Sequence, residues 1–178
     1  NLRRVRGNLK ISGDRIDLAK AGLTSISADR NVVSIGDIEM AAGIDTGLQI
    51  EAGRSMIIEG DIGKASPLKS VTMAAGDFIA IGKPDDLMAN GVIRADGDIR
   101  FNPDGNSWLE NTGVATVSLF ADNYEITSGA GNVTFGEMQA LSTAGNLSIN
   151  AGNRITVGDV NAAGDIDFTA PEIEILLR

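Results

Sequence analysis

The stretch Ala144-Gly145-Asn146-Leu147-Ser148-Ile149-Asn150-Ala151-Gly152-Asn153-Arg154-Ile155-Thr156-Val157, with its echo Ala163-Gly164-Asp165-Ile166-Asp167-Phe168, decides how the chain folds. Each copy sets Ala-Gly and an Asp or Asn ahead of an apolar–polar–apolar run. Gly with Asp or Asn turns a backbone, because Gly tolerates positive φ and the short polar side chain bonds its own turn. The run that follows has period two, which places its apolar residues on one face of a strand. Ala144 and Ala163 are 19 residues apart, so the unit recurs at about 20 residues.

The same unit appears further upstream. Gly-Asp-Ile occurs four times, at Gly36–Ile38, Gly60–Ile62, Gly97–Ile99 and Gly164–Ile166, and Ala75-Gly76-Asp77-Phe78-Ile79-Ala80-Ile81 is another full copy. Pairs such as Leu9/Ile11, Ile16/Leu18, Val33/Ile35, Leu48/Ile50, Val71/Met73, Ile99/Phe101, Val133/Phe135 and Ile173/Ile175 alternate in the same way. No window sustains the i, i+3, i+4, i+7 spacing of an amphipathic helix. The 178 residues include 20 isoleucines and only 4% aromatics, and a β-branched core favours strands.

Short strands with tight glycine corners leave two architectures, an antiparallel sandwich and a parallel β-helix. The β-helix is favoured because the repeat counts coils rather than hairpins, the loops are very short, and one residue type recurs at one turn. Stacked coils lie about 4.8 Å apart, so inward Ile and Val form ladders and turn Asn or Asp can bond the coil above or below. The expectation is an all-β, parallel β-helical solenoid of about eight or nine coils, one segment over 1–178. Two loop excursions are expected, near 82–91 and 102–113, where Pro and polar turn residues interrupt the rhythm.

Composition excludes several function classes. With no Cys and no His there is no zinc finger, disulfide framework, thiol nucleophile or Ser-His-Asp triad. A net charge of −9 argues against a general nucleic-acid binder, although Arg3, Arg4, Arg6 and Lys10 form a local basic cluster. No run approaches the roughly 20 apolar residues of a transmembrane helix. The chain starts at Asn1 rather than Met and is read as part of, or processed from, a longer chain.

Candidate sites are few. Asp96 and Asp98 are two apart, and on one strand face their carboxylates could hold calcium, the sole cofactor entertained; consecutive turn aspartates are the favoured reading, because the Gly-rich Asp nonapeptides of calcium-binding rolls are absent. With Arg94 and Arg100 they form the one set that could serve a polysaccharide lyase or glycosidase, against the simpler reading of an alternating-charge solvent face. Trp108, flanked by Asn106, Glu110 and Asn111, is the best guess for a glycan or protein contact, unless Trp108 folds back over the coil wall. Asn132-Val133-Thr134 and Asn146-Leu147-Ser148 match the glycosylation acceptor pattern but fall where a ladder Asn is expected anyway.

The segment 129–170, through Gly131-Asn132-Val133-Thr134-Phe135, Asn146-Leu147-Ser148-Ile149-Asn150 and Gly164-Asp165-Ile166-Asp167-Phe168, resembles the repeats of filamentous-haemagglutinin-like exoproteins, very large adhesins of Gram-negative bacteria secreted by the two-partner route. The resemblance is visible over 36–101 and faint elsewhere. It implies a right-handed β-helical shaft, a secreted or cell-surface setting, passage through an outer-membrane secretion pore and a host or matrix receptor. A non-catalytic adhesin shaft or filament is the expected function, with end-to-end self-association through open coil edges as a further expectation. A carbohydrate-active β-helix enzyme or a glycan-binding module is the alternative.

Overall fold

A computed structural model describes residues 4–101, 116–136 and 140–176. Among these residues there are strands and turns but no helix. The chain alternates between two sheets, and every strand pairing within them is parallel. The first sheet follows β1 (Leu9–Leu18), β3 (Val32–Met40), β5 (Ser55–Glu59), β7 (Phe78–Gly82), β10 (Thr116–Ser128), β12 (Ala140–Thr143) and β15 (Asp159–Ala162). Beside this path, β8 (Met88–Ala95) pairs with β10, and β13 (Asn146–Ala151) lies between β10 and β16 (Ile166–Thr169). The second sheet runs β2 (Gly22–Ala28), β4 (Thr46–Ala52), β6 (Val71–Ala75), β9 (Ile99–Phe101), β11 (Val133–Phe135), β14 (Arg154–Val157) and β17 (Glu172–Ile175).

Register turns this order into rows. In the first sheet Leu9, Val32, Met56, Ile79, Val117, Leu141 and Val160 are successive partners. In the second, Leu48, Val71, Ile99, Val133, Ile155 and Ile173 form another row. The residues between them point outward, as the alternating burial of β10 and β13 shows. Inward residues of both sheets merge into one continuous core in which most members are fully buried. Each such Ile, Leu or Val contributes about 1.5–3 kcal/mol by leaving water. The row Ile26–Ile50–Met73 continues into Phe101 and Phe135, whose rings stack at 4.5 Å.

Three sequence expectations need correction. Among the described residues each sheet is seven layers deep, against the eight or nine expected. Register offsets such as Leu9 to Val32 and Thr46 to Gly22 are 23 and 24 residues, and Ile99 to Val133 takes 34, so a 20-residue unit overcounts. Second, the excursion near 82–91 is shorter than expected. Only the turn around Lys83–Leu87 leaves the sheet, while Met88–Asn90 already belongs to β8 and pairs with β10. Gly91 permits this, because a Cβ there would stand 2.5 Å from the ring of Tyr124. The excursion at 102–113 lies outside the described residues. Third, Val33 and Ile35 share a face, but it is the outer one; Val32 and Ser34 are buried in their place. Register decides this, since Ser34 falls in the row between Ile11 and Ile58.

Corners are held by side-chain ladders. Asn31 donates from Nδ2 to Asn8 at 3.0 Å and accepts from the backbone N–H of Ser55 at 3.2 Å. Asn146 donates to Asn123 at 2.9 Å and accepts from the N–H of Asp165 at 2.8 Å. Each Asn therefore bonds the layers on both sides of it. Within the first sheet a column of glycines marks a shared bend: Gly36 has φ +114°, and a Cβ on it would meet the carbonyl oxygen of Gly13 at 1.9 Å.

Candidate functional site: a basin on the outer face of the first sheet

Sequence parity put Arg94, Asp96, Asp98 and Arg100 on one strand face, and the structure separates them. Arg94 lies on β8 in the first sheet, Arg100 on β9 in the second, and the corner 96–98 comes between. Arg94 pairs with Glu125 at 3.4 Å. Asp98 accepts from Arg100 at 2.6 Å with one carboxylate oxygen and from the N–H of Asn132 at 2.9 Å with the other. Asn132 in turn accepts from Asn153 at 2.7 Å. Asp98 is thus the foot of a corner ladder. Asp96 is exposed at the bend, and its carbonyl accepts from Ala130 at 2.7 Å. Among the described residues no three carboxylates are grouped to hold a metal ion. Trp108, Asn106, Glu110 and Asn111 lie outside the described residues.

Both acceptor-pattern asparagines, Asn132 and Asn146, have their side-chain oxygens engaged in ladders. Two of the buried acids, Asp61 and Glu39, are likewise engaged by backbone N–H groups. Asp61 accepts from the N–H of Val92 at 2.9 Å and from Lys64 at 2.8 Å, and that contact raises the Lys64 pKa. Glu39 accepts from the N–H groups of Ala65 and Ser66.

The outer face of the first sheet offers a different kind of site. Because Ile79, Ile81, Val117 and Leu119 point inward, their neighbours Phe78, Ala80, Ser118 and Phe120 must point out. Ala80 and Ser118 are register partners and form a low floor, with Ile57 beside Ala80 on the next strand. Phe78 and Phe120 stand at opposite corners of this floor, Phe78 opposite Thr116 and Phe120 opposite Gly82. Large side chains around small ones leave a basin of about 440 Å³. Phe78 remains 38% exposed.

One rim of the basin is charged. Lys83, at the start of the turn, reaches back to Glu59 at 3.1 Å. Beyond this pair a second depression of about 340 Å³ follows the glycine column of Gly13, Gly36, Gly60 and Gly82, with Asp14 and Asp86 at its edges. Gly82 has φ +88°, and a Cβ on it would meet the Phe120 carbonyl at 2.5 Å, so no side chain can fill the join. Exposed aromatic faces beside hydroxyls and an ion pair can seat a sugar ring or an apolar side chain. Sequence reading did not single these residues out. The signal was present in the strict alternation of Phe78-Ile79-Ala80-Ile81, which forces Phe78 outward once Ile79 is assigned to the core.

Comparison with protein-family models, with curated proteins and with solved structures finds no match for the chain.

Proposed function

We propose that the chain is a right-handed parallel β-helix serving as a non-catalytic shaft of a secreted bacterial surface adhesin of the filamentous-haemagglutinin-like kind. The observation that carries the proposal is the unbroken row Leu9–Val32–Met56–Ile79–Val117–Leu141–Val160, which spans every layer in one register. A row of this kind makes a quasi-one-dimensional body whose stiffness comes from neighbour-to-neighbour packing. Seven layers at about 4.8 Å give a body roughly 30 Å long along its axis. The chain reaches the cell surface through an outer-membrane pore and holds its outer face toward a host or matrix receptor. Three outward cations are engaged in ion pairs, which supports a scaffold over an enzyme: Arg94 with Glu125, Arg100 with Asp98 and Lys83 with Glu59.

Beads coated with the chain, pulled across host-cell and matrix surfaces under flow, test the attachment role. Retention above that of albumin-coated beads is expected, together with no turnover of uronate or neutral polysaccharides. Turnover that Asp98→Ala abolishes would replace the proposal with a carbohydrate-active enzyme.

A glycan-binding module is the second reading, and the basin between Phe78 and Phe120 is what favours it. Titration of an oligosaccharide panel by calorimetry should then show binding that Phe120→Ala removes. A flat response across the panel would reject this reading.

A further inference from the structure

We infer that the basin and the depression beside it form one docking groove for an extended segment of a partner protein, a segment that carries an apolar side chain ahead of a lysine or arginine. This rests on the attachment role and names the chemistry of the receptor. The groove is built into the middle of the sheet. The outward row through Val33, Ile57 and Ala80 is apolar over those three layers, with Lys10 before them and Ser118 and Ser142 after. In the flanking rows Ile35 follows Ser12, and Phe78 lies between Ser55 and Thr116. Val33, Ile35, Ile57, Phe78 and Phe120 thus make an apolar island on a polar outer face, and such an island marks contact with another molecule. The two hollows share Glu59, Gly82 and Lys83, so they are continuous across that ion pair.

Two observations select a peptide as the occupant. The first is the supply of hydrogen bonds. A sugar ring turns several hydroxyls toward any surface that covers it, and each one taken out of water needs a partner. The basin is floored by Ile57 and Ala80 between two phenylalanine rings, and the Ser118 hydroxyl already accepts from Ser142 at 3.1 Å. That floor suits an apolar side chain. It offers no free backbone either: β3, β5 and β7 are each paired on both sides, so the ligand is held by its side chains and not as an added strand. The second observation is charge. Asp14 and Asp86 edge the second depression, exposed and without an ion-pair partner among the described residues. With Glu59 against Lys83 they leave a formal −2, which attracts a cation and repels uronate or sulfate groups. Gly36 and Gly60 of that depression are three residues along their strands from Val33 and Ile57. That offset is roughly 10 Å, so anchor and cation belong about three or four residues apart in an extended peptide.

Fluorescence anisotropy of the labelled peptide Phe-Ser-Gly-Ser-Lys-Lys against the full chain provides the test. Saturable binding that weakens with salt is expected. Phe78→Ser should weaken it about tenfold or more, and Asp14→Asn and Asp86→Asn about two- to fivefold each, while Asp167→Asn on β16 should leave it unchanged. Asp14→Lys/Asp86→Lys should turn the preference to the same peptide ending in two glutamates. Circular dichroism and thermal melts of each variant separate lost docking from lost folding. Absent binding, binding indifferent to Phe78→Ser in a folded variant, or a neutral oligosaccharide held more tightly than the peptide overturns the inference. Binding that appears only once residues 102–115 are replaced by a glycine–serine linker overturns it in favour of the chain's own segment. A dimer that Phe78→Ser dissolves overturns it in favour of a second copy. Beads retained on cells by a chain that ignores the peptide would leave the attachment role standing without this groove. Peptide binding without retention would leave the groove standing without the role.

Discussion

At the residue scale, two buried serines test whether each position in a row is set by register or by chemistry. Ser34 is buried in a row of isoleucines, and its hydroxyl has no hydrogen-bond partner among the described residues. Removing an unpaired buried hydroxyl relieves a desolvation cost, so Ser34→Ala should hold or raise stability by about 1 kcal/mol in urea unfolding. Ser128 is equally buried but works: it donates to the Gly97 carbonyl at 2.7 Å and accepts from the Gly131 N–H at 3.0 Å. Ser128→Ala strands both groups and should cost about 1–3 kcal/mol. A Ser34→Ala variant that unfolds as readily as Ser128→Ala would mean that the hydroxyl has a partner. Sequence alone could not separate the two, because parity assigned Val33 rather than Ser34 to a shared apolar face. Only the neighbouring rows fix which face of β3 is inside.

Elements are defined by their rows, and a deletion in mid-row should be felt in the layers on either side. Ile79 is fully buried between Met56 and Val117. Ile79→Ala removes contacts to both and should cost about 2–5 kcal/mol by chemical denaturation. A loss below 1 kcal/mol would place Ile79 outside the core. The last element responds to pH instead. Glu172 on β17 pairs with Arg154 on β14, and the guanidinium holds its carboxyl below the ordinary glutamate range. A depressed carboxyl adds stability above its unfolded value and loses it as pH falls through the folded one. The melting temperature should therefore fall on acidification below the normal glutamate pKa, and Glu172→Gln should flatten part of that fall; an unchanged acid limb would show the pair to be inert. Strand existence was legible from alternation, and the corners from Gly with Asp or Asn. The continuation of β8 back to Met88 was not, because Pro84 and two aspartates precede it, and its pairing depends on a tyrosine more than thirty residues later lying over Gly91.

At the scale of the whole molecule, repetition in the sequence and parallel order in the structure have one origin. In most layers a 22- to 24-residue step returns an inward residue to the place of its counterpart one layer earlier, as Leu141 returns to Val117 and Ile155 to Val133, while the step from Ile99 to Val133 lengthens to 34. The candidate basin was less legible, because it arises where large and small outward residues from three layers meet, a pattern no local window contains. Asp96 and Asp98 failed as a site for the complementary reason: two residues close in sequence are split by a corner that parity ignores. The most direct measurement uses the absence of cysteine from the chain. Ser118 and Ser142 are 24 residues apart, yet they are parallel register partners with hydroxyl oxygens 3.1 Å apart. The double variant Ser118→Cys/Ser142→Cys places its thiols within the geometric reach of a disulfide. Under mild oxidation it should cross-link within one chain and raise the unfolding midpoint, while Ser118→Cys/Thr143→Cys, with Thr143 pointing to the opposite face, should not. Equal cross-linking of the two pairs, or none in the first, would contradict the stack of parallel layers.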